Sequence, residues 1–116
     1  MKDARIKMVA FADSKLLDAY NKLKSGKFED KWLASEIETA IDNLKEDPFC
    51  GIAIRRSLWP VEYVKEFNID NLRKYNMAKG WRLMYTISGN QVEIVAILLE
   101  WLDHKSYERR FGYNSR

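Results

Sequence analysis

The chain has 116 residues, of which 47% are apolar and 32% are charged, a composition typical of a globular protein and not of a disordered one. This length predicts one domain over residues 1–116 with a single core. The longest apolar run, Ile94 to Leu99, is too short to cross a bilayer, and one His with one Cys argues against a structural zinc site.

Cys50 is the single cysteine, so an internal disulfide is excluded and a reducing compartment is favoured. The first residues carry no hydrophobic signal-peptide region.

In chain order, Arg5 to Ala12 alternates well enough to predict a first strand. Asp13 and Ser14 are then suited to cap a helix that ends near Gly26. A longer amphipathic helix is predicted from about Glu29 to Glu46. Two such helices with a short link form an antiparallel hairpin, and each apolar stripe is one face wide, so we expect the hairpin to lie on a sheet.

The segment after Pro48 is less regular. Residues 52–58 read as a short extended piece, and Pro60 suits the first position of one or two helical turns, although residues 59–69 are also compatible with a loop over a sheet edge. From Leu72 onward, three apolar strands separated by turn residues predict an antiparallel meander. The expected fold is therefore α+β: an N-terminal strand and a two-helix hairpin packed on a small antiparallel sheet, with a short C-terminal helical tail.

The distribution of charge is more informative than its total. Asp and Glu are absent from Asn71 through Val92, which contain four basic residues, and the tail after His104 is also basic. A local basic surface on a nearly neutral protein suits a polyanion or an acidic partner, although an ordinary solvated face explains it equally well.

Arg82 and Arg73 are the first candidates for chemistry. If the turn between their strands centres near Met77 to Lys79, both guanidiniums lie on one face of the sheet. Such a pair would hold a phosphate bidentately and stabilise a developing phosphorane. The alternative is that Arg82 pairs with Glu93 or Glu100 and only ties strands together.

His104 and Tyr107 are the candidate proton-transfer groups. They are three residues apart, so in a helical turn both rings project to the same side. A His and a Tyr beside arginines would serve a 2′-hydroxyl attack as general base and acid, although a lone His is more often structural. RNA binding is assigned to six further residues of the same region: Lys74, Tyr75, Lys79, Lys105, Arg109 and Arg110. The lysines and arginines would add non-specific attraction for phosphate, although plain solvation explains Lys74, Lys105, Arg109 and Arg110 equally well.

The order of these pieces resembles the RelE/ParE superfamily of toxins from type II toxin–antitoxin systems. The resemblance lies in a strand, a helical hairpin, a meander strand reading Trp81-Arg-Leu-Met-Tyr85, and a terminal His104-Lys-Ser-Tyr107. It implies a cytoplasmic toxin that in the RelE-like branch is an endoribonuclease: it enters the ribosomal A site and cleaves mRNA through 2′-hydroxyl attack on the adjacent phosphate, without a metal or other cofactor. Arg73, Arg82 and Tyr107 match the family's functional positions, and His104 resembles its tail histidine.

The same resemblance implies a cognate antitoxin that covers the basic face, the ribosome and mRNA as further partners, and a homodimer or a hetero-oligomer with the antitoxin. The sequence departs from the family where a further basic residue is often found: here stand Glu100, Trp101 and Asp103, and Tyr75 replaces a second lysine. Two alternatives stay open. One is a ParE-like inhibitor of a protein target such as DNA gyrase, and the other is a degenerate member that binds RNA or antitoxin without cleavage.

Overall fold

A computed structural model describes residues 3–112 of the chain. Five strands form one mixed sheet: β1 (Ile6–Phe11), β2 (Ile52–Ala53), β3 (Arg73–Asn76), β4 (Arg82–Gly89) and β5 (Glu93–Leu102). Four helices accompany them: α1 (Ser14–Lys24), α2 (Phe28–Glu46), α3 (Val61–Phe67) and α4 (His104–Phe111). The predicted α+β fold, with its N-terminal strand, helical hairpin and C-terminal helix, is confirmed.

The strand order across the sheet is β1-β5-β4-β3-β2. The segment β3-β4-β5 is the antiparallel meander that the sequence predicts, and β1 adds to its β5 edge in parallel, so the sheet is mixed. β5 lies between β1 and β4, which explains why it is apolar on both faces. Its pairing with β4 continues to Leu102, three residues beyond the apolar run Ile94 to Leu99.

The first face of the sheet is covered by the α1–α2 hairpin. Leu83 and Tyr85 of β4 and Ala96 and Leu98 of β5 are fully buried there, against residues of α2 such as Ile37. Alternation along a strand places every second residue on this face, which is why these positions are apolar. Burial of each large side chain contributes about 2 kcal/mol, so this face supplies most of the core.

The second face of the sheet is covered by α3 and α4. Met84, Leu99 and Leu102 from the strands pack there with Tyr63 of α3 and Tyr107 of α4. A bulge opposite Met84 and Tyr85 accommodates an extra residue of β5, since Tyr85 pairs with Leu98 and Met84 with Glu100. At one end, the second face is bounded by the turn between β3 and β4 and by the start of α4.

The segment after Pro48 forms more regular structure than a loop. Residues 56–58 make a 3₁₀ turn, and α3 begins at Val61. Pro60 is the N-cap residue of α3 and not its first helical residue, one position earlier than predicted. α3 ends at Asn68, whose φ of 50° is left-handed, a conformation that asparagine tolerates better than most residues.

Candidate functional site

Lys74 and Arg82 converge on the ring of Tyr107, at the end of the second face. Lys74 is opposite Met84 in the β3–β4 ladder and Arg82 is two residues before it, so both side chains project toward α4. The Arg82 guanidinium carbon lies 4.8 Å from the centroid of the Tyr107 ring, and Lys74 Nζ lies 5.1 Å from it. Two cations therefore share one buried aromatic ring, a favourable cation–π arrangement.

The charge of Arg82 is not neutralised by a carboxylate within residues 3–112. Its Nη1 donates a hydrogen bond to the carbonyl of Gly80, and its buried Nε has no hydrogen-bond partner in the described part of the chain. The alternative in which Arg82 pairs with Glu93 or Glu100 is therefore wrong. A cation held by an aromatic ring and a carbonyl keeps its attraction for an anion.

Tyr107 is 3% exposed, and its hydroxyl accepts a hydrogen bond of 3.1 Å from Lys74 Nζ. The ring also packs on Phe111 at 4.6 Å between centroids, in the core of the second face. Tyr107 thus holds two cations in place and presents little of itself to a substrate.

His104 begins α4 beside the same cations. The position that a Cβ would take at Gly80 is 3.2 Å from His104 Cβ and 3.9 Å from Arg82 Nη1, so the two side chains are neighbours across the turn. Its ring is largely solvent-exposed, and Nε2 lies 3.4 Å from the carboxylate of Glu108. This pairing was not predicted, although the i,i+4 spacing of the two residues on a helix indicates it.

Asp103 fixes the start of α4 and hence the position of His104. Its side chain accepts a hydrogen bond of 2.8 Å from the backbone N–H of Ser106, as an N-cap residue does. This hydrogen bond lowers the pKa of the Asp103 carboxyl below its ordinary value. Asp103, which stands where the toxin family often has a basic residue, therefore has a structural role as the N-cap of α4.

Arg73 lies on the first face, away from Arg82. It pairs with Tyr85 in the ladder, and its guanidinium donates to the carbonyls of Phe49 (2.9 Å) and Gly51 (2.8 Å). The prediction that Arg73 and Arg82 share a face is wrong, because the register places Arg82 opposite Asn76 and so on the other side of the sheet. Arg73 holds the segment after α2 against the sheet edge.

The remaining predicted RNA-binding residues are dispersed. The hydroxyl of Tyr75 accepts a hydrogen bond from Asn43 on the first face, and Lys79 Nζ lies 4.8 Å from the centroid of the Trp32 ring. Lys105 and Arg109 are exposed on α4. Of the six, Lys74 alone contacts the cluster around Tyr107, and we define the candidate site as Lys74, Arg82, His104 and Tyr107.

Arg110 is committed to an acidic partner. Its Nε and Nη2 donate to the two carboxylate oxygens of Glu100 at 2.9 and 3.1 Å, and its Nη1 lies 3.2 Å from Glu62. Tyr63 donates its hydroxyl hydrogen to Glu100 as well. Burial, followed by this hydrogen bond, raises the pKa of Tyr63 well above its ordinary value. Glu100, a departure from the family pattern, therefore joins α3, β5 and α4.

Trp101, a second departure, pairs with Leu83 and packs against the core of the first face, whereas Tyr107 of the candidate site lies in the core of the second face. Among residues 3–112, no group of three His, Cys, Asp or Glu side chains is placed to hold a metal ion. In the same part of the chain no helix has the length and hydrophobicity needed to span a bilayer.

No protein-family model, curated protein or solved structure matches this chain. The interpretation of the candidate site therefore depends on its residues and their geometry.

Proposed function

We propose that the protein is a RelE-type toxin that acts in the cytoplasm on ribosome-bound mRNA, as an endoribonuclease that uses no metal. The observation that carries the proposal is the arrangement of Lys74 and Arg82 on one ring, beside an exposed histidine and without a neutralising carboxylate on either cation in residues 3–112. Two fixed cations and one titratable imidazole are the groups that phosphodiester cleavage by a 2′-hydroxyl requires.

In this mechanism Arg82 and Lys74 hold the two non-bridging oxygens of the scissile phosphate. The ribose 2′-oxygen attacks the phosphorus atom as its proton leaves to a base, and the bond from phosphorus to the 5′-oxygen breaks. The products are a 2′,3′-cyclic phosphate and a 5′-hydroxyl, and the 5′-oxygen takes up a proton. His104 is the group that exchanges protons, because its ring is exposed and lies beside Arg82, with Nε2 3.4 Å from the carboxylate of Glu108.

Tyr107 is a positioning residue in this proposal and not a proton donor. It is buried, and its hydroxyl accepts a hydrogen bond from Lys74. Arg73 has no contact with the RNA, since its guanidinium is bound to backbone carbonyls on the opposite face. The proposed partners are the ribosome, mRNA and a cognate antitoxin that covers the cationic site.

A second candidate is a protein that binds RNA without cleaving it. It is favoured because Arg73 is bound to backbone carbonyls on the opposite face and Arg110 is paired with Glu100. Fewer free cations surround the phosphate, so less of the developing negative charge is stabilised. The two candidates share the binding site and differ only in whether the message is cut.

Induced expression of wild type, Arg82→Ala and Arg73→Ala, with maps of mRNA 5′ ends, tests the proposal. Wild type and Arg73→Ala should arrest growth and cut translated messages, whereas Arg82→Ala should do neither. Immunoblotting controls for the amount of protein. Growth arrest by wild type with intact message would favour the candidate that binds RNA without cleaving it. Cleavage by Arg82→Ala equal to that by wild type would refute the role of Arg82 in holding the scissile phosphate.

A further inference from the structure

α2 begins with an aromatic side chain that projects into solvent. Phe28 is 84% exposed, more than any other large apolar side chain within residues 3–112. Single exposed apolar residues are common, so exposure alone indicates nothing. The surroundings of Phe28 are what distinguish it.

Trp32 follows Phe28 by one helical turn, so the two rings lie on the same stripe of α2, about 6 Å apart along the helix axis. Lys79 Nζ lies 4.8 Å from the centroid of the Trp32 ring. One turn further along α2, the Glu36 side chain accepts a hydrogen bond of 3.1 Å from the backbone N–H of Ala78. The turn between β3 and β4 is therefore docked on this stripe.

Lys79 connects the stripe to the candidate site. Its φ of 58° is left-handed, a sparsely populated conformation for a residue with a side chain. In that conformation its ammonium group covers Trp32, and the carbonyl of the next residue, Gly80, accepts a hydrogen bond from Arg82. A Cβ added at Gly80 would lie 3.2 Å from His104 Cβ, so His104 is close to the same turn. An aromatic stripe, a lysine and the phosphate-binding cations thus follow one another across the surface.

We propose that Phe28, Trp32 and Lys79 form a subsite for single-stranded RNA that continues from the phosphate held at Arg82. A base stacks on Phe28, and Lys79 contacts the phosphate that lies between this base and the scissile phosphate. Lys27 and Lys31 are exposed beside Phe28, while the acid Asp30 is turned toward Gly26. Because Glu29 and Asp30 offset these two lysines, stacking rather than charge supplies most of the binding.

This subsite depends on the proposed function, because it extends the same RNA beyond the scissile phosphate. It predicts that affinity rises with oligonucleotide length until the RNA reaches Phe28. It also predicts little base preference at the stacked position, since every base presents an aromatic face.

The test is fluorescence anisotropy of the full-length protein with labelled oligouridylates of two and of nine nucleotides, at one fixed ionic strength. Phe28→Ser should weaken binding of the longer RNA by about tenfold and leave the dinucleotide unchanged, as expected for the loss of one stacked base. Val92→Ser is the matched control, because Val92 is also exposed, at 66%, but precedes β5 at the opposite end of the sheet from Arg82. It should bind both RNAs as wild type does.

Equal affinity of Phe28→Ser and wild type for the longer RNA would overturn the subsite, and a role of Phe28 in contacting a protein partner would produce that result. Arg82→Ala separates this failure from failure of the proposed function. If Arg82→Ala weakens both RNAs while Phe28→Ser changes neither, only the subsite is refuted. If Arg82→Ala binds both RNAs as wild type does, the proposed function is refuted as well.

Discussion

Three arginines that look equivalent in the sequence have three different partners. Arg73 binds backbone carbonyls, Arg110 binds the carboxylate of Glu100, and Arg82 lies on an aromatic ring. The charge of Arg110 is neutralised, whereas those of Arg73 and Arg82 are retained, and the buried Nε of each has no hydrogen-bond partner within residues 3–112. Arg73 differs because it lies on the opposite face of the sheet, where its Nη2 donates to two backbone carbonyls and its guanidinium lies over the Phe49 ring. Only Arg82 combines a retained charge with a position beside His104.

Tyr63 makes the stability of the protein sensitive to alkaline pH. Its folded-state pKa is raised above the ordinary value of 10.0, so its contribution to stability is complete below pH 10 and is lost as the pH rises above that value. The free energy of unfolding should fall by about 1.4 kcal/mol per pH unit for each such tyrosine above pH 10. Urea titrations at several pH values will measure this slope.

Tyr63→Phe is the direct comparison, because it removes one titrating group and keeps the ring. Its stability should decline less steeply above pH 10 than that of wild type, although its stability at pH 7 should be lower by about 1 kcal/mol through the lost hydrogen bond to Glu100. Burial also raises the pKa of Tyr20 and Tyr85, so part of the slope should persist in the variant. Identical slopes for both proteins would contradict this assignment.

Gly80 controls the distance between the β3–β4 turn and His104. Its φ is 80°, and an added Cβ would lie 3.2 Å from His104 Cβ. Gly80→Ala should therefore destabilise the fold by about 1 kcal/mol through backbone strain and displace His104 from Arg82. RNA cleavage per folded molecule should fall, which a cleavage assay corrected for folded protein by circular dichroism will show.

At the scale of the elements, α4 is the piece that assembles the candidate site. It carries His104 and Tyr107 toward strands that carry Lys74 and Arg82. The helical tail that the sequence predicts is confirmed. Its two rings have different surroundings, since His104 is exposed and Tyr107 is buried in the core of the second face.

The face of Arg73 was not predictable in the same way. Which residues of two antiparallel strands share a face depends on the length of the turn between them, and one extra residue reverses the result. Here Arg73 pairs with Tyr85 and Asn76 with Arg82, so Arg73 and Arg82 fall on opposite faces. The 3₁₀ turn at residues 78–80, with Lys79 in a left-handed conformation, sets this register. No simple turn motif in the sequence predicts this turn.

The N-caps of α4 and α1 provide a matched pair of variants. Asp103→Ala and Asp13→Ala each remove a side-chain hydrogen bond to a backbone N–H, of 2.8 and 2.9 Å respectively. Each should lower the free energy of unfolding by about 1 kcal/mol, measured by urea denaturation. Only Asp103→Ala should also reduce RNA cleavage, since α1 lies on the face away from the candidate site. Equal loss of cleavage in both variants would show that general instability is the cause.

At the scale of the whole molecule, the two faces of the sheet have separate tasks. The hairpin of α1 and α2 covers the first face and supplies most of the core, as its two amphipathic stripes predicted. α3 and α4 cover most of the second face and leave the cations near Tyr107 at its end. The contribution of α3 was not predictable, because the Glu100, Tyr63 and Arg110 network that holds it joins residues far apart in the chain.

In the proposed function Arg82, and not Arg73, acts on the phosphate. The most direct measurement is the single-turnover rate of mRNA cleavage on ribosomes in a reconstituted translation system, with the 3′ ends of the products analysed for a 2′,3′-cyclic phosphate. Arg82→Ala should slow cleavage by about a hundredfold or more, the usual effect of removing a charge-stabilising donor, while Arg73→Ala cleaves at a rate close to that of wild type. A loss of cleavage in Arg73→Ala as large as that in Arg82→Ala, with both proteins folded, would contradict the account.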